Sequence, residues 1–291
     1  MKGYHDIKGD GGSRIVEQVV ARQGRIDAAL KDVRHLVAVG SGKGGVGKST
    51  LTMHLAAALA ACGGKVAVLD ADLNGPSIAR MAGVAGTTPL PVDGRMALPR
   101  SRAGFGVFSM GSLLTEDRAL EFDSVAKGDS HTWRATREFT FLAEVMGAVA
   151  WGKLDALVVD LPPGAERMVQ YAEFLGPRAR FVLVTIPSDV SRGVVARSAA
   201  ALASAKARVL GYIENMDGYA CASCDTVRPL FAPAERRDLG LTCLGRIPFD
   251  PDLAAACDRG ESMTSRANRP STRALAETAT RLMTLLEMPP T

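Results

Sequence analysis

Eight consecutive residues, Gly42-Lys43-Gly44-Gly45-Val46-Gly47-Lys48-Ser49, fit the pattern G-x-x-x-x-G-K-[ST]. Glycines let a backbone curl around a phosphate chain, so that successive N–H groups and the following helix start face the negative charge. In such a loop Lys48 reaches the β- and γ-phosphates and the Ser49 hydroxyl ligates Mg²⁺. The flanks suit this reading: His35-Leu36-Val37-Ala38-Val39-Gly40 has the pattern of a buried strand, and Ser49 to Ala61 that of an alanine-rich helix closed by Gly63-Gly64. The expected ligand is a nucleoside triphosphate with Mg²⁺. A second lysine, Lys43, lies inside the loop. It reads either as a solvent-facing loop residue or as a cation aimed at the γ-phosphate of a neighbouring subunit, in the manner of an arginine finger.

Carboxylates at the carboxyl ends of strands are the natural partners of such a loop, because Mg²⁺ prefers hard oxygen ligands. Asp70-Ala71-Asp72 ends one apolar run, and Leu157-Val158-Val159-Asp160 ends another. Asp160 is expected to hold Mg²⁺ through water. Either Asp70 or Asp72 orients the attacking water while the other supports the metal shell; a helix cap near Ser77 is the plainer alternative for the pair. Leu161-Pro162-Pro163-Gly164 then gives a rigid exit suited to a switch segment.

These groups need a scaffold. Lys65–Leu69, Ala156–Val159, Phe181–Thr185 and Val209–Ile213 read as further strands, with helical segments between them. Alternation of this kind predicts an α/β fold, a doubly wound and mainly parallel sheet with helices on both faces. Residues 1–34 read as a tail with one or two short helices from Ile15 to Leu30, and 35–291 as a single nucleotide-binding domain. Thr87 to Ser130 is irregular and is expected to form an insertion of short strands and loops over the site. Near the carboxyl end, Leu275, Ala279, Leu282 and Leu286 form an apolar helical stripe beside Arg273, Glu277, Arg281 and Glu287, whose charges cancel, and Pro289-Pro290 follows. Such a stripe packs on a sheet.

Composition narrows the function classes. The 291 residues carry 35 Lys+Arg and 31 Asp+Glu, a net charge of +4, and are 47% hydrophobic, so disordered and collagen-like chains are excluded. The charges alternate in sign, as at Lys31, Asp32 and Arg34 or Glu235, Arg236, Arg237 and Asp238, which argues against a nucleic-acid partner. No apolar run approaches the roughly 18 residues of a membrane span, so no stable membrane insertion is expected. Met1 to Asp6 lacks the apolar core of a signal peptide, which predicts a cytoplasmic protein. Its five cysteines are then no disulfide framework. Cys62, Cys243 and Cys257 read as inert packing residues, and His5, His35, His54 and His131 as scattered structural or surface groups.

The paired lysines of Gly42-Lys43-Gly44-Gly45-Val46-Gly47-Lys48-Ser49-Thr50 resemble the deviant Walker A of the MinD, ParA and nitrogenase iron protein class. Within it, Asp70-Ala71-Asp72-Leu73-Asn74-Gly75-Pro76-Ser77-Ile78 resembles the Mrp/ApbC family of iron–sulfur cluster carrier ATPases. So do Trp151-Gly152-Lys153-Leu154-Asp155, Val158 to Gly164, Ile213-Glu214-Asn215-Met216 and Leu244-Gly245-Arg246-Ile247-Pro248. The resemblance implies an ATP-dependent homodimer with slow hydrolysis, in which Lys43 crosses to the partner's phosphate, Asp72 positions the hydrolytic water and Asn215 contacts adenine. From its residues alone, Asn215 reads equally as a turn residue after a strand.

Cys221-Ala222-Ser223-Cys224 falls where the family carries its C-x-x-C, in a loop of about 216–231. By itself this spacing also suits a redox pair, half a zinc site or two unlinked thiols. Two thiolates per chain are too few for a closed cluster, and two chains supply the four that a [4Fe–4S] centre needs. The implied activity is delivery of a subunit-bridging cluster to apoprotein clients. A positioning ATPase like MinD, or a nucleotide-dependent regulator with little hydrolysis, are the alternatives. Two departures stand out. After Pro162-Pro163-Gly164 the family continues Thr-Gly-Asp, where this chain has Ala165-Glu166-Arg167, and the family's Trp-Arg-Gly-Pro is here Trp133-Arg134-Ala135-Thr136. The first falls in the segment expected to sense the γ-phosphate.

Overall fold

Strands too apolar to face water on either side belong in the middle of a sheet covered by helices, and the valine-rich runs of this chain take that place. The computed structural model describes residues 15–73, 75–112, 131–231, 238–261 and 268–288. After helix α1 (Ile15–Ala29) the chain enters β1 (Val33–Ser41), α2 (Lys48–Ala61), β2 (Val66–Asp70) and α3 (Ile78–Ala82). A hairpin, β3 (Leu90–Val92) and β4 (Arg95–Ala97), precedes β5 (Gly106–Phe108) and α4 (His131–Ala148). Then come β6 (Leu154–Asp160), α5 (Ala165–Leu175), β7 (Ala179–Thr185), α6 (Asp189–Ser204) and the long β8 (Arg208–Ala220). The chain finishes with β9 (Val227–Arg228), β10 (Cys243–Phe249), α7 (Pro251–Asp258) and α8 (Pro270–Leu285).

The strands lie in the order β10-β8-β7-β1-β6-β2-β5, with β9 turned back antiparallel on the end of β8. All pairings along the main path are parallel. Side chains alternate faces along a strand, and β1 displays this cleanly. Val37 and Val39 enter one core with Leu51, Leu55 and Leu59 of α2 and Leu275 and Leu282 of α8. Leu36 and Ala38 enter the other, with Leu142 and Met146 of α4 and Tyr171 of α5. The doubly wound α/β fold expected from the alternation is therefore present. The carboxyl-terminal stripe is also where expected: Leu275, Ala279, Leu282 and Leu286 are buried, and α8 packs on β10. No helix among the described residues is long and apolar enough to cross a membrane.

Ile15 to Ala29 is one helix, within the one or two expected there. Two boundaries differ from expectation. Part of the segment expected to be an insertion is sheet: Gly106–Phe108 pairs with Ala67–Leu69 as the edge strand. The strand expected at Val209–Ile213 continues to Ala220, because β10 pairs with it as far as Tyr219. Asn215 thus lies inside a strand, not in a turn after one. Residues 1–14 with His5, residues 113–130, the side chains of His131, Trp133 and Arg134, and Pro289-Pro290 lie outside the described portion.

One buried polar pair sits in the α2–α7 packing. The His54 Nε2 and Cys257 Sγ are 3.3 Å apart, and both residues are buried. Burial lowers His54 to a pKa of about 3 and raises Cys257 to about 12, so both stay neutral at pH 7. A histidine whose folded pKa lies below its unfolded value of about 6.5 takes up a proton on unfolding. Stability should therefore fall as pH drops from about 6.5 towards 3. Calorimetry from pH 7 to 4 is expected to show this acid slope in the wild type and a shallower one in His54→Leu.

Candidate functional site

Parallel strands with helices on both faces bring their carboxyl ends to one edge, where ligands of such folds sit. Here β1, β2 and β6 end side by side: Val39 and Asp160 are register partners, and so are Asp70 and Asp160. The exits are tied together, since the Leu161 N–H donates to the Val39 carbonyl, the Ala71 N–H to that of Asp160 and the Gly164 N–H to that of Ser41, all at 2.9–3.0 Å. The phosphate loop leaves β1 at this edge. Gly45 and Gly47 have φ of 78° and 79°, left-handed values that a side chain would oppose, and a Cβ on Gly47 would also fall on the Asn215 amide. No side chain caps α2, so the first N–H groups of that helix, beginning at Lys48, are available to an anion.

Asp160 is fully buried and fully engaged. Its Oδ2 accepts from Lys48 Nζ at 2.7 Å and from Ser49 Oγ at 2.6 Å. Its Oδ1 lies 2.7 Å from the Thr52 hydroxyl, whose single proton is shared with the Lys48 carbonyl at 3.0 Å. Asp70 is buried beside it. The Asp70 carboxylate accepts from Ser109 Oγ at 2.7 Å and, on its two oxygens, from the Ile78 and Asp72 amides. Desolvation first, then the charge of Asp160, pushes Asp70 up to a pKa of about 7, against the opposing bonds from Ser109 and the nearby Lys48. Two buried acids thus differ in surroundings: Asp160 is paired with the Lys48 ammonium, while Asp70 titrates near neutrality.

The structure therefore joins Lys48, Ser49, Asp160 and Asp70 in one cluster. Asp72 follows, half-buried, and Lys43 stands half-exposed in the loop, its carbonyl accepting from Ser41 Oγ at 2.9 Å. Asn215 reaches the loop from β8, its Nδ2 donating to the Val46 carbonyl at 2.9 Å, a bond from strand to loop. The Lys48 ammonium bonded to Asp160 and Ser49 indicates that their oxygens converge on a cation, which fits the donor set of a hard metal ion. Thr52 and Ser109 were not among the sequence candidates. Thr52 lies one helical turn after Lys48, a spacing that could have revealed it; Ser109 carries no local signal.

The cysteine pair lies elsewhere. Glu214 pairs with Thr185, the last residue of β7. β8 continues past that point to Ala220, with a register break between Asn215 and Tyr219 where Met216 and Gly218 have positive φ, and Cys221 follows it. Cys221 and Cys224 bracket a tight turn in which the Cys221 N–H donates to the Thr226 carbonyl and the Asp225 N–H to that of Cys221, each at 3.0 Å. Both thiols are free, with Cys224 exposed and Cys221 partly so. The Ser223 hydroxyl, 3.1 Å from the Cys221 sulfur, and its amide, followed by Cys224, pull Cys221 down to a pKa of about 6. At neutral pH it is mostly thiolate, the form that ligates metals. Among the described residues no group of three or more His, Cys, Asp or Glu side chains gathers to hold a metal within one chain. Two free thiols on one short turn offer two sulfur ligands.

A phosphate loop opening a helix, a buried acid on its lysine and a parallel sheet define a P-loop NTPase. The chain belongs to a family within that class: the family model described as ParA, NUBPL iron-transfer P-loop NTPase, matches residues 32–283. The chain is 33% identical over 253 residues to a protein of Saccharolobus solfataricus named iron-sulfur cluster carrier protein, covering 85% of this chain and 82% of that one. It is 37% identical over 242 residues to the human cytosolic Fe-S cluster assembly factor NUBP2, covering 79% and 85%. Among solved structures, a nucleotide-binding protein from Archaeoglobus fulgidus in complex with ADP has a TM-score of 0.69 at 30% identity, over 84% of this chain and 93% of that one. The Pyrococcus furiosus cell division ATPase MinD shares the fold, with a TM-score of 0.63 at 21% identity over 86% and 99%.

Removing one hydroxyl tests the acid's dependence on its partners. Thr52→Val is expected to destabilise the fold by about 1–3 kcal/mol, the cost of leaving a buried acceptor short of a donor. Denaturant melts measure that loss. Lys48→Ala should abolish nucleotide binding in a fluorescent-nucleotide titration.

Proposed function

We propose that this protein is an ATP-binding carrier of iron–sulfur clusters. Two copies hold a [4Fe–4S] cluster between them through Cys221 and Cys224 of each, and pass it to apoprotein clients in the cytosol. The observation that carries this is the placement of the two free thiols on the turn that directly follows the strand touching the phosphate loop. Asn215 bonds the loop, and Cys221 stands six residues further on, just past the end of β8 at Ala220. The strand is a direct mechanical link between nucleotide and cargo. Val227, Leu230 and Phe231 are exposed beside the thiols, an apolar border suited to a second copy of the same chain.

At the nucleotide site, residues 42–50 cradle the phosphates with their backbone N–H groups, and Lys48 binds the β- and γ-oxygens. Ser49 and Asp160 hold Mg²⁺, which supplies charge neutralisation at the phosphates, and Asp70 supports its water shell. Asp72 positions the attacking water for slow hydrolysis. Lys43 reaches the partner's phosphate, so that the dimer forms around nucleotide. Asn215 exchanges its bond to Val46 for one to the adenine.

Anaerobic reconstitution with ferrous iron and sulfide tests the carrier function. The wild type should gain visible absorption and about four irons per dimer, and Cys221→Ala/Cys224→Ala should gain neither. Zinc without iron in the wild type would sink the cluster assignment. Lys43→Ala should keep most ATP binding while losing turnover, and equal loss of both would contradict a role across the dimer.

A further inference from the structure

The cysteine turn is anchored by a residue far from it in sequence. Arg269 sits immediately before α8, its carbonyl fixed by the Arg273 amide at 3.0 Å and the Thr272 hydroxyl at 2.9 Å. Its guanidinium faces two ways. Nε and one terminal nitrogen grip the buried Asp250 carboxylate, each at 3.0 Å. The other terminal nitrogen donates to the Asp225 carboxylate at 3.0 Å and, at 3.4 Å, to the carbonyl of Ala222, the residue that follows Cys221. Asp250 is itself immobile: it caps α7 through the Asp252 amide and accepts from Ser271 Oγ at 2.6 Å.

We infer that Arg269 is the positioning residue of the metal-binding turn, locking the backbone between Cys221 and Cys224 to the β10–α7 junction so that both sulfurs face the same way. This rests on the carrier function proposed above. Only a planar fork with several N–H donors can serve a rigid carboxylate on one side and a turn on the other; a lysine ammonium offers no such division. Asp250 and Arg269 are almost inaccessible to water, at 2% and 13% side-chain exposure, whereas Asp225 at 54% is the solvent end of the chain of bonds. The rigid end thus lies in the core and the adjustable end at the thiols. Groups that orient ligands from behind in this way commonly govern metal affinity.

Hydrogen exchange on the metal-free protein tests the lock without the cluster. Arg269→Ala should raise exchange at the Cys221 and Asp225 amides about tenfold, since each is protected only by the turn. Iron retained after reconstitution should fall about tenfold, with ATP affinity unchanged. Because Arg269→Ala leaves Asp250 buried without its cation, Asp225→Asn is the companion: it spares that pair and suits the left-handed backbone at residue 225, where φ is 56°. It should give a smaller rise at the same two amides in a normally stable fold. Unchanged exchange in both variants overturns the lock. Faster exchange with undiminished iron overturns its role toward the metal. A wild type that protects the turn but takes up no iron refutes the carrier function, and with it the metal role, while leaving the lock visible.

Discussion

A carboxylate with no access to water has to be matched by donors or the fold does not form, and Asp160 imposes that requirement on everything around it. Breaking such a buried pair typically costs about 3–5 kcal/mol, because the remaining charge stays stranded. The chain meets the need entirely from α2: Lys48, Ser49 and Thr52 all turn to the one acid. Their helix must then start at the edge of β1 and β6, which forces the preceding loop to close within a few residues. The left-handed glycines at 45 and 47 follow from that closure. The phosphate cradle is therefore a consequence of satisfying a charge at the end of β6, as much as a device for binding anions.

The departure at Ala165-Glu166-Arg167 has a physical account. Arg167 forms a salt bridge with Glu138 of α4. Its guanidinium also lies over the rings of Phe139 and Tyr171, at 5.6 and 5.5 Å. The Tyr171 hydroxyl stands 2.7 Å from Glu138 and 2.8 Å from the Ala71 carbonyl, and burial with the Glu138 charge drives its pKa far up. One proton serves two acceptors there, so any motion of α5 is felt at Ala71, the residue between Asp70 and Asp72. Where the Mrp/ApbC pattern has an acid after the Pro-Pro-Gly exit, this chain has a cation with its own half-buried counter-ion. The start of α5 is thereby fixed to α4, whose partner Glu138 the sequence motif does not reveal.

Much of the nucleotide site was legible because its chemistry is local. A phosphate loop needs glycines, a lysine and a hydroxyl within eight residues, and strand-ending acids follow short apolar runs. What escaped depends on distance. β8 has Glu214, Asn215, Asp217 and Gly218 in its second half, a composition that argues against a strand; the β10 ladder pairs with it up to Asn215 and again at Tyr219, on either side of a bulge. β5 is three residues long and pairs with β2 only through the sheet's existing edge. Ser109 meets Asp70 across 39 positions of sequence, and Arg269 meets Asp225 across 44. No periodicity records such meetings.

Cysteine reactivity in this chain is decided by place. Cys257 lies against the neutral His54 in the packing of α2 on α7, and burial raises its thiol to about 12. Cys221, just past the end of β8, is brought to about 6 by the hydroxyl and amide of its own turn. A buried thiol with no thiolate character neither binds nor releases metal, whereas a thiolate at a protruding tip does both readily. The proposed cargo has to be handed on as well as held. A tip anchored from behind through Arg269, yet open to solvent at Asp225 and Cys224, meets both demands: the core fixes where the sulfurs point, and the exposed side leaves a client's thiols room to attack.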